Sequence, residues 1–202
     1  MMLSNNASPA KARPSARYLF RTGAGVAATA LVGSAAAGSR STWYERVNKP
    51  SFQPPSAAFP IAWTLLYADI AVTSAYALQN ATESQKRGLT KALALNLTLN
   101  AGWSWVFFRA HRLAAATALS AALTASSADL TRRVSAAHPA GRALAAYPAW
   151  CAFATTLSAS IWRRNRCPLL SGHVRHVARP RRAVVSDANR SGRGTGQTAG
   201  TH

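Results

Sequence analysis

Five stretches of this chain are almost free of charge, and that pattern limits what it can fold into. Residues 22–38, 57–80, 92–108, 113–130 and 143–162 run 17–24 residues each, and the only ionised side chains among them are Asp69 and Asp129. A helix rising about 1.5 Å per residue needs roughly 17–25 apolar residues to cross a bilayer core. Buried helices of a soluble domain are rarely this long without charge. Five in succession predict an all-α membrane protein, a five-transmembrane-helix bundle. The connectors 39–56, 81–91, 109–112 and 131–142 are short and basic or proline-rich. The stretches are built from Ala, Gly and Ser more than Leu. Gly25 with Thr29, and Gly33 with Ala37, stand four residues apart, as close helix contact in lipid requires.

Charge collects outside these stretches. The 202 residues carry 24 Lys+Arg against 5 Asp+Glu, a formal net charge of +19. Lys11, Arg13, Arg17 and Arg21 lie near the start, and nine arginines follow Trp162. The expected layout is a disordered basic N-tail over 1–17, a membrane domain over 18–165 and a disordered Arg-rich C-tail over 166–202. Within the domain, spans are expected at about 20–38, 57–80, 90–108, 112–130 and 143–162. The C-tail lacks the aromatic residues that stack bases, so the partner of its charge is read as anionic lipid and not nucleic acid. Basic residues near the membrane are almost balanced between the two sides, and the C-tail tips the count towards a cytoplasmic C-terminus. The first stretch, preceded by basic residues and ending in Ala35-Ala36-Ala37, also has the outline of a cleavable signal.

Several chemistries are excluded by supply. Two cysteines, Cys151 and Cys167, make no disulfide framework. Five acidic residues leave little for a paired-carboxylate hydrolase, and no Ser/His/Asp or Cys/His set or metal-ligand spacing stands out. His173 and His176 form an HxxH within the tail, where it is read as solvated. Asp69 and Asp129 are candidate proton-relay groups, and for both the favoured reading is pairing with arginine near the interface.

The informative residues are aromatic and amide. The connector after the first stretch reads Trp43-Tyr44-Glu45-Arg46-Val47-Asn48-Lys49-Pro50-Ser51-Phe52-Gln53-Pro54-Pro55, and its three prolines predict a semi-rigid, non-helical lid. In the second stretch Phe59, Trp63, Leu66 and Ile70 share a face that excludes Asp69; in the third Asn96, Asn100, Trp103 and Phe107 do so. In the fifth, Tyr147, Trp150, Ala154, Leu157 and Ile161 repeat the theme. Amides in hydrocarbon are costly unless bonded, so Asn96 and Asn100 are expected to face inward, either towards a ligand or to neighbouring helices. Three aromatic faces under a proline-stiffened lid predict an apolar pocket for a flat hydrophobic ligand.

These pieces resemble the bacterial tryptophan-rich sensory proteins and their relative, the mitochondrial translocator protein or peripheral-type benzodiazepine receptor. The resemblance is carried by Trp43-Tyr44 through Lys49-Pro50 to Pro54-Pro55, and by Phe59-Pro60-Ile61-Ala62-Trp63-Thr64-Leu65-Leu66-Tyr67. Leu99-Asn100-Ala101-Gly102-Trp103-Ser104-Trp105-Val106-Phe107-Phe108 and Tyr147-Pro148-Ala149-Trp150-Cys151-Ala152-Phe153-Ala154 continue it. Because the blocks need a retained helix before Trp43, the resemblance favours that over a cleaved signal. It implies an integral, multi-pass protein of the bacterial plasma membrane, commonly a homodimer, that needs no cofactor and takes tetrapyrroles (porphyrin or haem), or a sterol, as ligand. The implied contacts are Tyr44, Pro54, Trp63, Asn100, Trp103, Phe107, Trp150, Ala154 and Leu157. Trp63 and Trp150 would stack on the ring, Asn100 would offer a hydrogen bond, and Tyr44 with Pro54 would close the lid. The expected function is a receptor or carrier with a regulatory or transport role. Photo-oxidative porphyrin breakdown and proton-coupled transport are the alternatives. Two departures touch the fifth stretch: Pro148 follows Tyr147 instead of preceding it, and Ser158 stands where the family has Asn after Leu.

Overall fold

The computed structural model describes residues 13–38 and 42–166. Five long helices dominate: α1 (Ala16–Ala37), α3 (Ala58–Asn80), α4 (Glu83–Phe108), α5 (Leu113–Ala137) and α6 (Ala146–Asn165). A short α2 (Thr42–Arg46) sits in the first connector, and a 3-10 helix (Pro139–Ala145) links α5 to α6. No strand occurs among the described residues. Helices α1, α3 and α5 are long and apolar enough to cross a membrane by length and composition.

The helix limits correct the sequence reading in an orderly way. Charge marks the edge of an apolar stretch, but Glu, Gln, Lys and Arg are good helix formers, so the helices run on into charged sequence. Helix α1 begins at Ala16, inside the expected N-tail. Helix α4 begins at Glu83, so most of the expected 81–91 connector is helical. A reciprocal cap sets that start: the Gln85 amide donates to Thr82 Oγ1 while Thr82 N–H donates to the Gln85 side chain. Helix α5 continues to Ala137 because Asp129 pairs along its own helix with Arg132 and Arg133, both at 2.6 Å. The lid also departs from expectation: Thr42–Arg46 is helical, and the proline-governed part starts only at Pro50. The tail expectations for 1–12 and 167–202, with Cys167, His173 and His176, lie outside the described residues.

Packing is inverted relative to a soluble domain. Phe20, Leu31, Ile61 and Leu65 are exposed, whereas Asn96, Ser127 and Thr22 are buried. Helix α1 packs on α3 and α4, α5 on α4 and α6. Polar clasps join these pairs: Thr22 Oγ1 donates to the Ala71 carbonyl at 2.8 Å, and the hydroxyls of Ser120, Thr124 and Thr155 meet at 2.9–3.0 Å between α5 and α6. Close approach of α1 to α4 uses Gly33, where an added Cβ would lie 3.2 Å from Ser104 Oγ. Helices α3 and α6 reach each other through side chains, with Phe59 against Trp150 (6.1 Å) and Trp63 against Tyr147 (6.4 Å).

Gly141 holds the 3-10 helix against the end of α5, and an added Cβ would lie 2.5 Å from the Ser135 backbone nitrogen. Backbone cannot step aside as a side chain can. Gly141→Ala is expected to cost about 1–3 kcal/mol and to lower the thermal unfolding midpoint in detergent. Gly23→Ala, where a Cβ meets nothing within 4 Å, should leave the midpoint equal or higher.

Candidate ligand-binding cavity

The inward faces enclose a cavity of about 440 Å³ beneath the lid. Helix periodicity explains its walls: Phe59, Trp63 and Tyr67 recur every four residues on α3, and Asn100, Trp103 and Phe107 line one stripe of α4. Trp150, Ala154 and Leu157 supply the α6 wall, while Ala30, Gly33 and Ser34 make a low wall from α1. Of the nine residues singled out in the sequence, Tyr44, Trp63, Asn100, Trp103, Phe107, Trp150, Ala154 and Leu157 line this one space; Pro54 does not. Asp69 does not line it either, and Asp129 is committed to its arginines.

The lid closes the cavity with rings. Tyr44 meets Phe107 and Phe108 edge-on at 6.0 and 5.6 Å, and Trp43 stacks on His111 at 4.0 Å. Phe52 reaches Phe153 of α6 at 6.5 Å. The Lys49 ammonium lies 4.5 Å from the centre of the Tyr44 ring. Asn165 fastens the lid to the end of α6: its side-chain amide donates to the Asn48 carbonyl (3.0 Å) and accepts from the Asn48 N–H (3.1 Å). Burial raises the Tyr44 phenol above its ordinary 10.0, with the Gln53 hydrogen bond pulling the other way. A raised acid keeps its proton longer folded than unfolded, so this contribution is complete below pH 10.0 and fades only as pH rises past it.

A chain of buried hydrogen bonds forms the floor. The Tyr67 hydroxyl donates to Asn100 Oδ1 at 2.9 Å, Asn100 Nδ2 donates to the Tyr147 hydroxyl at 3.4 Å, and that hydroxyl donates to Asn96 Oδ1 at 2.8 Å. Asn96 Nδ2 in turn donates to Ser126 of α5 at 3.3 Å. Four helices are thereby tied together, and Asn100 spends its carbonyl and one amide proton on the protein. The indole N–H groups of Trp103 and Trp150 are buried with no acceptor among the described residues. Ring contacts fix both, Trp103 stacked on Phe107 at 5.1 Å and Trp150 against Phe153 at 5.5 Å. An unmet buried donor costs about 1–3 kcal/mol, so both indoles hold their place by ring packing and not by hydrogen bonding, and it is their rings that line the cavity.

Sequence reasoning missed Tyr67 and Phe108 as wall residues. Tyr67 follows Trp63 by four, a signal that was readable; Phe108 stands outside the Asn96–Asn100–Trp103–Phe107 stripe, and at the end of α4 it meets Tyr44 of the lid. Gly33 was read as helix contact, yet its side also opens on the cavity. Among the described residues no cluster of His, Cys, Asp or Glu has the makings of a metal site.

Comparison with known proteins agrees with this architecture. The model of the TspO/MBR family matches residues 22–163. Protein CrtK of Rhodobacter capsulatus is 32% identical over 129 residues, covering 63% of this chain and 81% of that protein. The tryptophan-rich sensory protein of Cereibacter sphaeroides is 40% identical over 80 residues, 38% of this chain and 47% of its own length. The human translocator protein is 30% identical over 131 residues, 61% and 75% of the two chains.

Tyr147→Phe removes the hydroxyl that serves both asparagines and should destabilise the protein by about 0.6–2 kcal/mol. Tyr67→Phe, which releases Asn100 alone, should cost less. Thermal unfolding of the two variants in one detergent checks the order.

Proposed function

The chain belongs to the TspO/MBR family, and on that premise we propose that this integral membrane protein is a receptor or carrier for tetrapyrroles, porphyrin or haem, with a regulatory or transport role. Helices α4 and α6 cross the membrane together with the three more apolar ones, giving five spans, in the bacterial plasma membrane and as a homodimer. Sterols are a further ligand class for the same space.

The observation that carries this reading is the cavity itself. At about 440 Å³ it falls within the ordinary range for small-molecule sites. Its walls are flat rings, which suit a planar conjugated guest, and its polar groups are few. Tetrapyrroles carry both an aromatic plane and acidic side chains, which match the ring walls and the Asn100 amide among the lining residues. In this role Trp63 and Trp150 flank the ring, Tyr44 covers it, and the remaining Asn100 amide proton is available to it.

A second reading, photo-oxidative breakdown of bound porphyrin, is favoured by the position of Trp63, whose ring lies 5.4 Å from Tyr67 and 6.4 Å from Tyr147. Such a run of oxidisable rings suits transfer of an electron hole away from an excited guest. Light-dependent product formation that Trp63→Phe abolishes, with binding intact, separates this reading from simple binding.

Absorbance titration of the purified protein with protoporphyrin or haem tests the main reading. Trp63→Ala and Trp150→Ala should each weaken binding about ten-fold or more, and Trp105→Ala, on the exposed side of α4, should leave it unchanged. Equal affinity in wild type and both cavity variants removes the proposed site.

A further inference from the structure

A second concavity lies outside the cavity, between the α4–α5 corner and the last turn of α6. It is an open groove of about 650 Å³ lined by His111, Arg112, Leu113, Ala114, Ala115, Trp162, Asn165 and Arg166. We propose that this groove seats the headgroup of an anionic phospholipid.

The lining divides into two chemistries. Arg112 and Arg166 are exposed guanidinium groups with no ion-pair partner among the described residues, and no carboxylate lines the groove. Beside them Leu113, Ala114, Ala115 and the Trp162 ring make an apolar wall. A phospholipid offers that same pairing, a phosphodiester immediately above hydrocarbon. A free anion would use only the cations, and an aliphatic chain only the wall. The Arg166 guanidinium lies 5.1 Å from the Trp162 ring centre, so one phosphate-binding group is already held in place by its neighbour. The acidic side chains at the opposite end are spent there, Asp129 on Arg132 and Arg133 and Glu83 on Lys86, so none of them neutralises the groove. Cations next to an anionic surface each contribute roughly five-fold in affinity, so two convergent arginines suffice for selective retention.

The groove also touches the lid's two fastenings. Asn165 in its wall holds Asn48, and His111 stacks under Trp43. A seated headgroup therefore lies against the residues that fix the lid. The inference rests on the proposed function only in placing this end of the bundle at the headgroup level; the identity of the cavity's ligand does not enter.

The test is lipid retention by the full chain, free of porphyrin, followed by native mass spectrometry with dioleoyl-phosphatidylglycerol, dioleoyl-phosphatidylcholine and inorganic phosphate. Wild type should prefer phosphatidylglycerol to phosphatidylcholine by about ten-fold or more. Arg112→Gln with Arg166→Gln should abolish that preference. Arg163→Gln with Arg164→Gln, an equal charge loss on the same turn outside the groove, should preserve it. Arg112→Lys with Arg166→Lys keeps the charge and secures a folded variant; it should retain the preference in part. Equal loss in the two Gln pairs would reduce the effect to diffuse surface charge and overturn the proposal. Displacement of phosphatidylglycerol by about 10 mM inorganic phosphate would overturn it too, by assigning the groove to a free anion. A failed porphyrin titration bears on the cavity and leaves these outcomes unaffected.

Discussion

The relay running from Tyr67 through Asn100 and Tyr147 to Asn96 is the constraint on which the rest of the bundle depends. Among lipids, apolar surface gains little by turning inward, because the surroundings are as apolar as the interior. Helices then associate through close backbone approach and through hydrogen bonds that no lipid can replace. This chain uses both: small residues where α1 meets α4, hydroxyl clasps between α5 and α6, and the amide–phenol relay where α3, α4 and α6 converge. The relay also sets where the bundle is solid and where it is hollow. Towards the 3-10 helix, Leu130, Val134, Leu144 and Tyr147 close the core; on the other side of the asparagines the rings stand apart and the cavity begins.

From that geometry the division of labour among the aromatic residues follows. Tyrosines near the floor have hydroxyls and use them on asparagine. Tryptophans higher up present faces to the cavity, and two of them keep their N–H groups uncommitted. The lid adds rings from above, secured at one edge by Asn165 and at another by His111, whose left-handed backbone (φ 53) turns the corner between α4 and α5. Position His111 thus serves the corner, the lid and the outer groove together.

Much of this was legible in the sequence because a bilayer simplifies the code. Absence of charge marked the bundle segments, and four-residue spacing of rings and amides marked the inward faces, so Asn96, Asn100 and Phe107 are buried as their stripe required. Helix limits were less legible, since the transition from apolar to charged residues reports where water begins and not where hydrogen bonding along the helix stops. The start at Glu83 depends on a local cap, and the continuation to Ala137 on ion pairs within α5. The role of Asn100 was open between guest and neighbour, and the placement of Tyr67 and Tyr147 shows that it bonds its neighbours while still lining the cavity. Pro54 was assigned by position in a motif, and position in a motif does not fix which lid residues line the cavity; Tyr44 does and Pro54 does not.

The clip between Asn165 and the Asn48 backbone has one more consequence. It joins two points 117 residues apart in the chain, so the cover is anchored to the final helix and not to its own neighbours in sequence. Any shift at the end of α6 is thereby passed straight to the roof of the hollow.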